Sequence, residues 1–365
     1  MSEQTIAFIG LGLIGGSIAR GLKRARPDIS IMAYTRSRAG LEQAKKDGIV
    51  DIILDKAGQE LAACDMVFLC TPVEYNAGYL KSIRPYLKPG AIITDVGSTK
   101  TNIHEEVLRL GMEDVFVGGH PMAGSEKTGY EHSTDHLLEN AYYIITPAEK
   151  SSDEQIERVK NVANLLGAIP MVLDYREHDQ AVAAVSHLPH LIASSLVNLV
   201  KDSDDSSETM KRIAAGGFKD ITRIASSSPE MWEQICMANC GPICDILERY
   251  IASLSQVLQE IRGKQEDSIY RLLEESRAYR NSISDRAKGA LEPDYSFSVD
   301  IVDEAGAIST LSVILAAKGT NIKNIGINNN RERGEGALRI TFYDEASLEA
   351  AWAQLTKYHY ELFRQ

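Results

Sequence analysis

The N-terminal half of the chain alternates short apolar runs with amphipathic stretches. Thr5-Ile6-Ala7-Phe8-Ile9, Met66 to Cys70, Ala91 to Asp95, Val115 to Val117, Tyr142 to Thr146 and Pro170 to Leu173 have the length and β-branched content of buried strands, with helical patterns between many of them. Strands that alternate with helices pair in parallel, so residues 1–174 predict an α/β, doubly wound Rossmann-type sheet. From Tyr175 the texture changes. Ala181, Ala184, Val185, Leu188, Leu191, Ile192, Ser195, Leu196 and Leu199 trace one helical stripe, ended by the acidic loop Asp202 to Glu208. Further helices are expected over Met231 to Arg262 and Ser268 to Ala287. No strand is available to cover their apolar faces, so residues 175–290 predict an all-α domain that closes a homodimer.

A breaker-rich linker, Asn281 to Asp294, precedes a third texture. Phe297 to Val302 alternates as a strand, Ala307 to Ala317 is helical and ends at Gly319, and Asn321 to Ile327 and Ala337 to Tyr343 read as strands. Ala346 to Tyr358 is helical and a last short strand follows. This βαββαβ order over residues 295–365 predicts a ferredoxin-like unit.

A chain of 365 residues with 44% apolar content has ample material for cores. Its net charge of −12 disfavours nucleic acid and anionic membranes, so an anionic substrate would require a local cluster of cations. No uninterrupted apolar run approaches the ~20 residues of a membrane span, and the N-terminus enters a strand without a basic leader, which implies a cytoplasmic protein. Cys64 and Cys70 belong to the sheet region. Cys236, Cys240 and Cys244 recur every fourth residue, but Gly241-Pro242 interrupts that helix and the spacing is not that of a compact thiolate loop, so reduced thiols and no metal are expected. His132 and His136, beside Glu131 and Asp135, read as a polar face or lid.

The first strand runs directly into Gly10-Leu11-Gly12-Leu13-Ile14-Gly15-Gly16-Ser17 and then a helical pattern, which places a GxGxxG fingerprint between strand and helix. Gly10 makes the tight turn, Gly12 admits a pyrophosphate to the backbone, and Gly15 lets helix and strand pack. The phosphates then meet the positive helix end, opened by Leu13 and Ile14. A dinucleotide is expected there, with Thr71 and Pro72, after the strand Met66 to Cys70, among its contacts. An NAD site usually carries an acidic residue about 20 residues beyond the fingerprint, yet the second strand ends in Thr35-Arg36-Ser37-Arg38. Arg36 could stack on adenine, grip a 2′-phosphate or be a solvated charge, so NADP stands beside NAD.

Gly118-Gly119-His120-Pro121-Met122-Ala123-Gly124 holds one imidazole between glycines and a proline at the end of an apolar run. An imidazole so placed suits a general base or a packed turn histidine. In Val96-Gly97-Ser98-Thr99-Lys100-Thr101, Ser98 could bond substrate and imidazole, or cap a helix. Ser186-His187-Leu188-Pro189-His190 puts Ser186 and His190 four apart, and Pro189 should kink the helix beside them. Lys211, Arg212, Lys219 and Arg223 surround Gly216-Gly217-Phe218 and form the candidate cationic cluster, with surface charge as the plain reading.

The strings GLGLIGGS, DVGSTK, GGHPMAGSEKTG, SHLPH and GGFKDITRIA, in this order and followed by the βαββαβ tail, resemble the bacterial prephenate dehydrogenases of the tyrosine pathway fused to an ACT regulatory domain. The resemblance spans the chain. It implies NAD as cofactor, prephenate as substrate and His120 at the ring hydroxyl, supported by Ser98. It further implies Ser186, His190 and Arg223 at the substrate carboxylates, with Lys219 and Glu126 as outer pocket or gating groups. Arogenate is the alternative substrate, and a dinucleotide sensor without turnover the alternative class. The ACT resemblance implies L-tyrosine as an inhibitor held at the turn Asp303 to Ser309, including Gly306, Ala307 and Ile308, opposite Asn321 and Ile322.

Overall fold

The computed structural model describes residues 4–36, 38–124, 127–283, 295–301, 304–327 and 338–364. Five strands, β1 (Thr5–Ile9), β2 (Ser30–Tyr34), β3 (Ile52–Ile53), β4 (Met66–Leu69) and β5 (Ile92–Asp95), pair in parallel in the order β3-β2-β1-β4-β5. Helices α1 (Leu13–Ala25), α2 (Arg38–Lys46), α3 (Val73–Ile83) and α4 (Thr101–Leu110) belong to the same part of the chain. The central strands β1 and β4 carry apolar side chains on both faces, and Phe8 stacks on Phe68 across them at 5.0 Å. Apolar clusters on the two sides of the sheet bury them.

Three further strands, β6 (Val117–Pro121), β7 (Tyr142–Pro147) and β8 (Ile169–Val172), form a second sheet that meets β5 through the parallel bridge Ile93–Phe116. β7 runs antiparallel to β6, a departure from the expected all-parallel arrangement. The described residues between β6 and β7 supply only a 3-10 turn, Tyr130–His132, whereas α5 (Asp153–Leu165) makes the true crossover from β7 to the parallel β8. Strand β6 also begins two residues later than expected and carries His120 within it. Gly118 and Gly119 permit this. A Cβ on Gly119 would lie 2.7 Å from the Asp95 carbonyl, and one on Gly118 would collide with Thr146.

The helical part comprises α6 (Tyr175–Val182), a π-turn at Ala183–His187, α7 (Leu188–Ser203), α8 (Thr209–Ile213), α9 (Gly216–Thr222), α10 (Pro229–Ala238), α11 (Cys240–Arg262) and α12 (Glu266–Ser282). Contacts gather Met1–Gly289 into one compact unit, in which this region packs with the sheets. The helices expected over Met231 to Arg262 divide at Asn239, just before Gly241-Pro242. Only part of the anticipated stripe is buried within the chain. Val185 and Leu199 are 71% and 63% exposed, while Val182, Ala183, His187, Leu188, His190 and Ala193 face inward. Among the described residues Tyr175–Ser203 is long and apolar enough to cross a bilayer by composition, but its buried face carries His178, Asp179, His187 and His190. His178 and Asp179 bond each other and His187 lies 3.1 Å from Asn239, so these polar groups meet partners inside the protein.

The second unit, Ala290–Gln365, contains β9 (Ser296–Val299), α13 (Ala307–Ala316), β10 (Asn324–Ile327), β11 (Leu338–Thr341), α14 (Glu345–Lys357) and β12 (Leu362–Arg364). Its antiparallel sheet has the order β10-β11-β9-β12, the ferredoxin-like arrangement. Phe297, Leu311, Leu315, Ile340 and Leu355 are among the residues of its separate core. Strand β10 starts at Asn324, so Asn321 and Ile322 precede it and Ile322 packs against that core. Residues 284–294, which hold most of the expected linker, lie outside the described residues.

Candidate active site

The glycine-rich turn opens a cleft of about 510 Å³ lined by Gly10, Gly12, Thr35, Arg36, Thr71 and Pro72, together with Tyr75, Tyr79 and the segment Gly129 to Glu131. Gly10 has φ +93°, and a Cβ there would sit 2.5 Å from the Cys70 carbonyl, so the turn requires glycine. Gly15 packs against Gly10 and Cys70 and stands outside the cleft lining, as do Leu13 and Ile14 at the start of α1. At Gly12 a Cβ would meet nothing within 4 Å. The backbone at the amino end of α1 therefore faces open space, and no acidic side chain occupies that first turn. These features fit a dinucleotide pyrophosphate. Arg36 lies over the Tyr75 ring at 4.6 Å.

At the carboxyl end of the sheet, buried hydrogen bonds fix the position of His120. Asp179 sits on α6 and is 1% exposed; its carboxylate accepts from the Lys100 and Thr101 amides at 2.8 and 2.7 Å and from His178 Nδ1 at 2.8 Å. A carboxylate only accepts, so His178 Nδ1 donates, and in the neutral tautomer this leaves Nε2 as the acceptor. His120 Nδ1 lies 2.8 Å from that Nε2 and donates to it. By elimination, His120 Nε2 is the ring's proton acceptor. Burial, the largest cause, with the nearby Lys100 charge, holds the His120 pKa well below the ordinary histidine value, so the ring stays neutral. Burial would raise the Asp179 carboxyl, but the bonds from His178, Thr101 and Lys100 outweigh it and keep the group ionised.

Beneath this array Lys100 is fully buried, paired with Asp95 and donating to the Gly119 carbonyl at 2.8 Å. Asp95 also accepts from the Gly97 and Gly119 amides at 2.9 and 3.2 Å. The pair thus ties the loop after β5 to the strand that carries His120. Ser98 lies on this loop, half-buried, but it caps no helix: α4 begins at Thr101 with Lys100 at the N-cap position, and Asp179 supplies the capping acceptor. The capping reading of Ser98 falls away, because α6 already satisfies those amides.

Further along α6 and α7, Pro189 has no N–H to donate, and the backbone widens into the π-turn before it. Ser186 is half-buried in that turn, and His187 and His190 are buried. Asn239, at the break between α10 and α11, donates to the Asp179 carbonyl at 2.8 Å and reaches His187 Nδ1 at 3.1 Å. Burial lowers the His187 pKa to about 4. His190 stacks on Trp232 at 3.5 Å, and its buried Nδ1 has no protein partner. Arg223 begins a 3-10 turn that packs against α7. Arg223 and Lys219, on α9, are both exposed.

Sequence reasoning placed His120 and Ser98 on neighbouring elements but missed His178, Asp179, Asn239 and the Asp95–Lys100 pair. Charged residues at the end of an apolar strand, as in Ile92-Ile93-Thr94-Asp95, and an adjacent His-Asp pair just inside a helix were available signals. Glu126 and Asp303 lie outside the described residues. In the second unit, Gly306 is left-handed at the N-cap of α13, followed by Ala307 and Ile308. Among the described residues no group of three or more His, Cys, Asp or Glu side chains is placed to hold a metal.

Two family models match in succession: the prephenate dehydrogenase nucleotide-binding domain over residues 18–172 and the prephenate dehydrogenase dimerization domain over 174–275. A prephenate dehydrogenase of Bacillus subtilis is 37% identical over 347 residues, 94% of this chain and 93% of the relative. Among solved structures, the prephenate dehydrogenase from A. aeolicus in complex with hydroxyphenyl propionate and NAD+ superposes with a TM-score of 0.73 at 31% identity, covering 78% of this chain and 99% of that one. Synechocystis arogenate dehydrogenase gives 0.70 at 31% identity, over 77% and 100%. With a dinucleotide cleft, a neutral imidazole wired to a buried carboxylate and this similarity along nearly its whole length, the chain belongs to the prephenate dehydrogenase family.

Proposed function

We propose that the chain catalyses the NAD-dependent oxidative decarboxylation of prephenate to 4-hydroxyphenylpyruvate. The observation that carries this is the Asp179–His178–His120 array at the carboxyl end of a Rossmann sheet whose cleft fits a dinucleotide. Bound there, NAD+ supplies the hydride acceptor. The chain's own residues orient the ring and handle one proton. His120 Nε2 takes the ring hydroxyl proton as hydride leaves C4, and returns it to oxygen once loss of carbon dioxide from C1 has made the ring aromatic. His178 fixes the tautomer, and the Asp179 charge favours the transient imidazolium. Ser98 lies on the loop tied to β6 and supports the hydroxyl. Ser186, His190 and Arg223 hold the carboxylates, His190 using the nitrogen that has no protein partner, while Lys219 and Glu126 serve as outer groups of the pocket.

An assay of reduced-nicotinamide formation with prephenate or arogenate, and NAD+ or NADP+, tests the reading. Turnover of prephenate with NAD+ is expected. Turnover confined to arogenate would transfer the chain to the other substrate, and none with either would leave a sensor. The exposed apolar side chains Val185, Leu199, Ile251, Leu254, Leu258 and Ile261 support a homodimer closed by the helical region.

The βαββαβ order of the second unit supports an ACT-type regulatory role, with L-tyrosine held near Gly306, Ala307 and Ile308. Ile322 is committed to the core, so Asn321 is the better contact across from that turn. Inhibition by tyrosine that changes kcat, and that is lost when the chain ends at Gly289, is the expected result. Purely competitive inhibition that survives truncation would place tyrosine in the active site instead.

A further inference from the structure

The second strand ends without the acidic side chain that normally receives the adenosine ribose, yet an NAD-linked enzyme must discriminate against a 2′-phosphate somewhere. Among the described residues lining the cleft, Glu131 alone carries a carboxylate. It lies far along the chain, in the 3-10 turn Tyr130–His132 between β6 and β7, but lines the same cleft as Gly12, Thr35, Arg36 and Gly40.

That turn is anchored. The Tyr130 hydroxyl donates to Asp47 at 3.0 Å, Arg20 lies over the Tyr130 ring at 4.5 Å, and the Ser133 hydroxyl accepts from Arg20 at 3.0 Å. A Cβ on Gly40, two residues into α2, would be 3.4 Å from Tyr130, and one on Gly16 of α1 would be 2.8 Å from Ser133. The turn is therefore seated against the two helices that flank the adenosine end of a Rossmann cleft. Gly129, at φ +96°, leaves room for the Glu131 carboxylate to fold back over it. Across the cleft, Arg36 is engaged face-on with Tyr75.

We infer that Glu131 replaces the missing strand-end acid: its carboxylate accepts from the adenosine ribose hydroxyl of NAD and repels the 2′-phosphate of NADP, while Arg36 stacked on Tyr75 forms the opposite wall. The charge that selects the cofactor comes from the segment joining β6 to β7, not from β2.

The test is cofactor binding by the full-length protein, followed through reduced-nicotinamide fluorescence. The probes are NADH, NADPH and 2′-deoxy-NADH, and the proteins are the parent, Glu131→Gln and Glu131→Ala. Loss of a charge-assisted hydrogen bond should weaken NADH about tenfold in Glu131→Ala, and loss of like-charge repulsion should tighten NADPH in both variants. Binding of 2′-deoxy-NADH should be weak in the parent and unaffected by either substitution. Glu131→Gln keeps the size of the side chain, so a shift in the NADH to NADPH ratio reads the charge. An unchanged ratio in both variants, or equal loss for NADH and its 2′-deoxy analogue, would overturn the inference. A general weakening caused by a disturbed turn lowers all three ligands together and counts as that outcome.

Discussion

His120 and Arg223 meet the same substrate in this reading, yet the chain holds them in opposite ways. The imidazole is fixed by a continuous set of hydrogen bonds from Asp95 and Lys100 through Asp179 and His178. The guanidinium sits exposed on a short 3-10 turn. The difference follows from what each must do. A general base needs a defined tautomer and a neutral ring, and both are set by burial and by fixed partners. A carboxylate-binding cation buried before its ligand arrives would bear a desolvation cost, which an exposed position avoids.

The contrast can be broken most forcefully at the buried pair. Lys100→Met strands the Asp95 carboxylate and should cost about 3 to 5 kcal/mol of stability, seen as a large fall in Tm. An unchanged Tm would mean that Asp95 and Lys100 do not hold the loop. His120→Asn should leave the fold and NADH affinity intact while lowering kcat by roughly 10² to 10⁴. Near-normal turnover in that variant removes the imidazole from the chemistry.

Asp179→Asn keeps the shape but withdraws the charge that sets the His178 tautomer. A kcat loss of roughly 10 to 10³ is expected, together with a lower Tm because the amide group caps α4 less well. A Tm change without a kcat change would reduce Asp179 to a capping residue. On the exposed side the effect should be smaller and of another kind. Arg223→Ala should raise the KM for prephenate roughly tenfold with kcat little changed. If kcat falls instead, Arg223 acts on the transition state and is not a simple anchor.

The mildest test is acid. The folded His120 pKa lies below the unfolded value of about 6.5, so the ring remains neutral as pH falls through that value. kcat should therefore be flat across pH 6.5 and decline only at lower pH. Stability behaves differently. His104, lowered to about 3, and His187, lowered to about 4, are also held neutral by burial. Their contribution is present above pH ~6.5 and is lost progressively below it, as the unfolded chain takes up protons that the folded one refuses. Tm should fall over the window in which kcat stays level. A kcat midpoint at 6.5 would indicate a solvent-exposed base.

Much of this architecture was legible because local pattern and global fold agree. The run into Gly10-Leu11-Gly12 gave the first strand, the turn and α1 together, since a left-handed turn pressed against a neighbouring strand excludes every residue that carries a Cβ. The parallel sheet and the βαββαβ tail followed from periodicity. Where the reading failed, a distant element had supplied what the local sequence seemed to need. Capping was one of two readings of Ser98, and it fell away because Asp179 takes that role from α6. The face of that helix buried within the chain includes His187 and His190, which the apolar stripe did not announce. Periodicity counts apolar residues, and it cannot see that a polar one is satisfied by Asn239 on another helix.

The sequence by itself determined the strand–glycine–helix unit, the order of the elements, the acidic balance of the chain and the presence of an imidazole flanked by glycine and proline. These depend on steric rules and on spacings of a few residues. Only the tertiary structure decided that His120 is neutral, that its Nε2 is the accepting atom, and that the cleft's carboxylate comes from Glu131. Protonation state and hydrogen-bond direction depend on burial and on partners 58 positions away in the chain, as between His120 and His178, and no local pattern encodes which distant groups will meet.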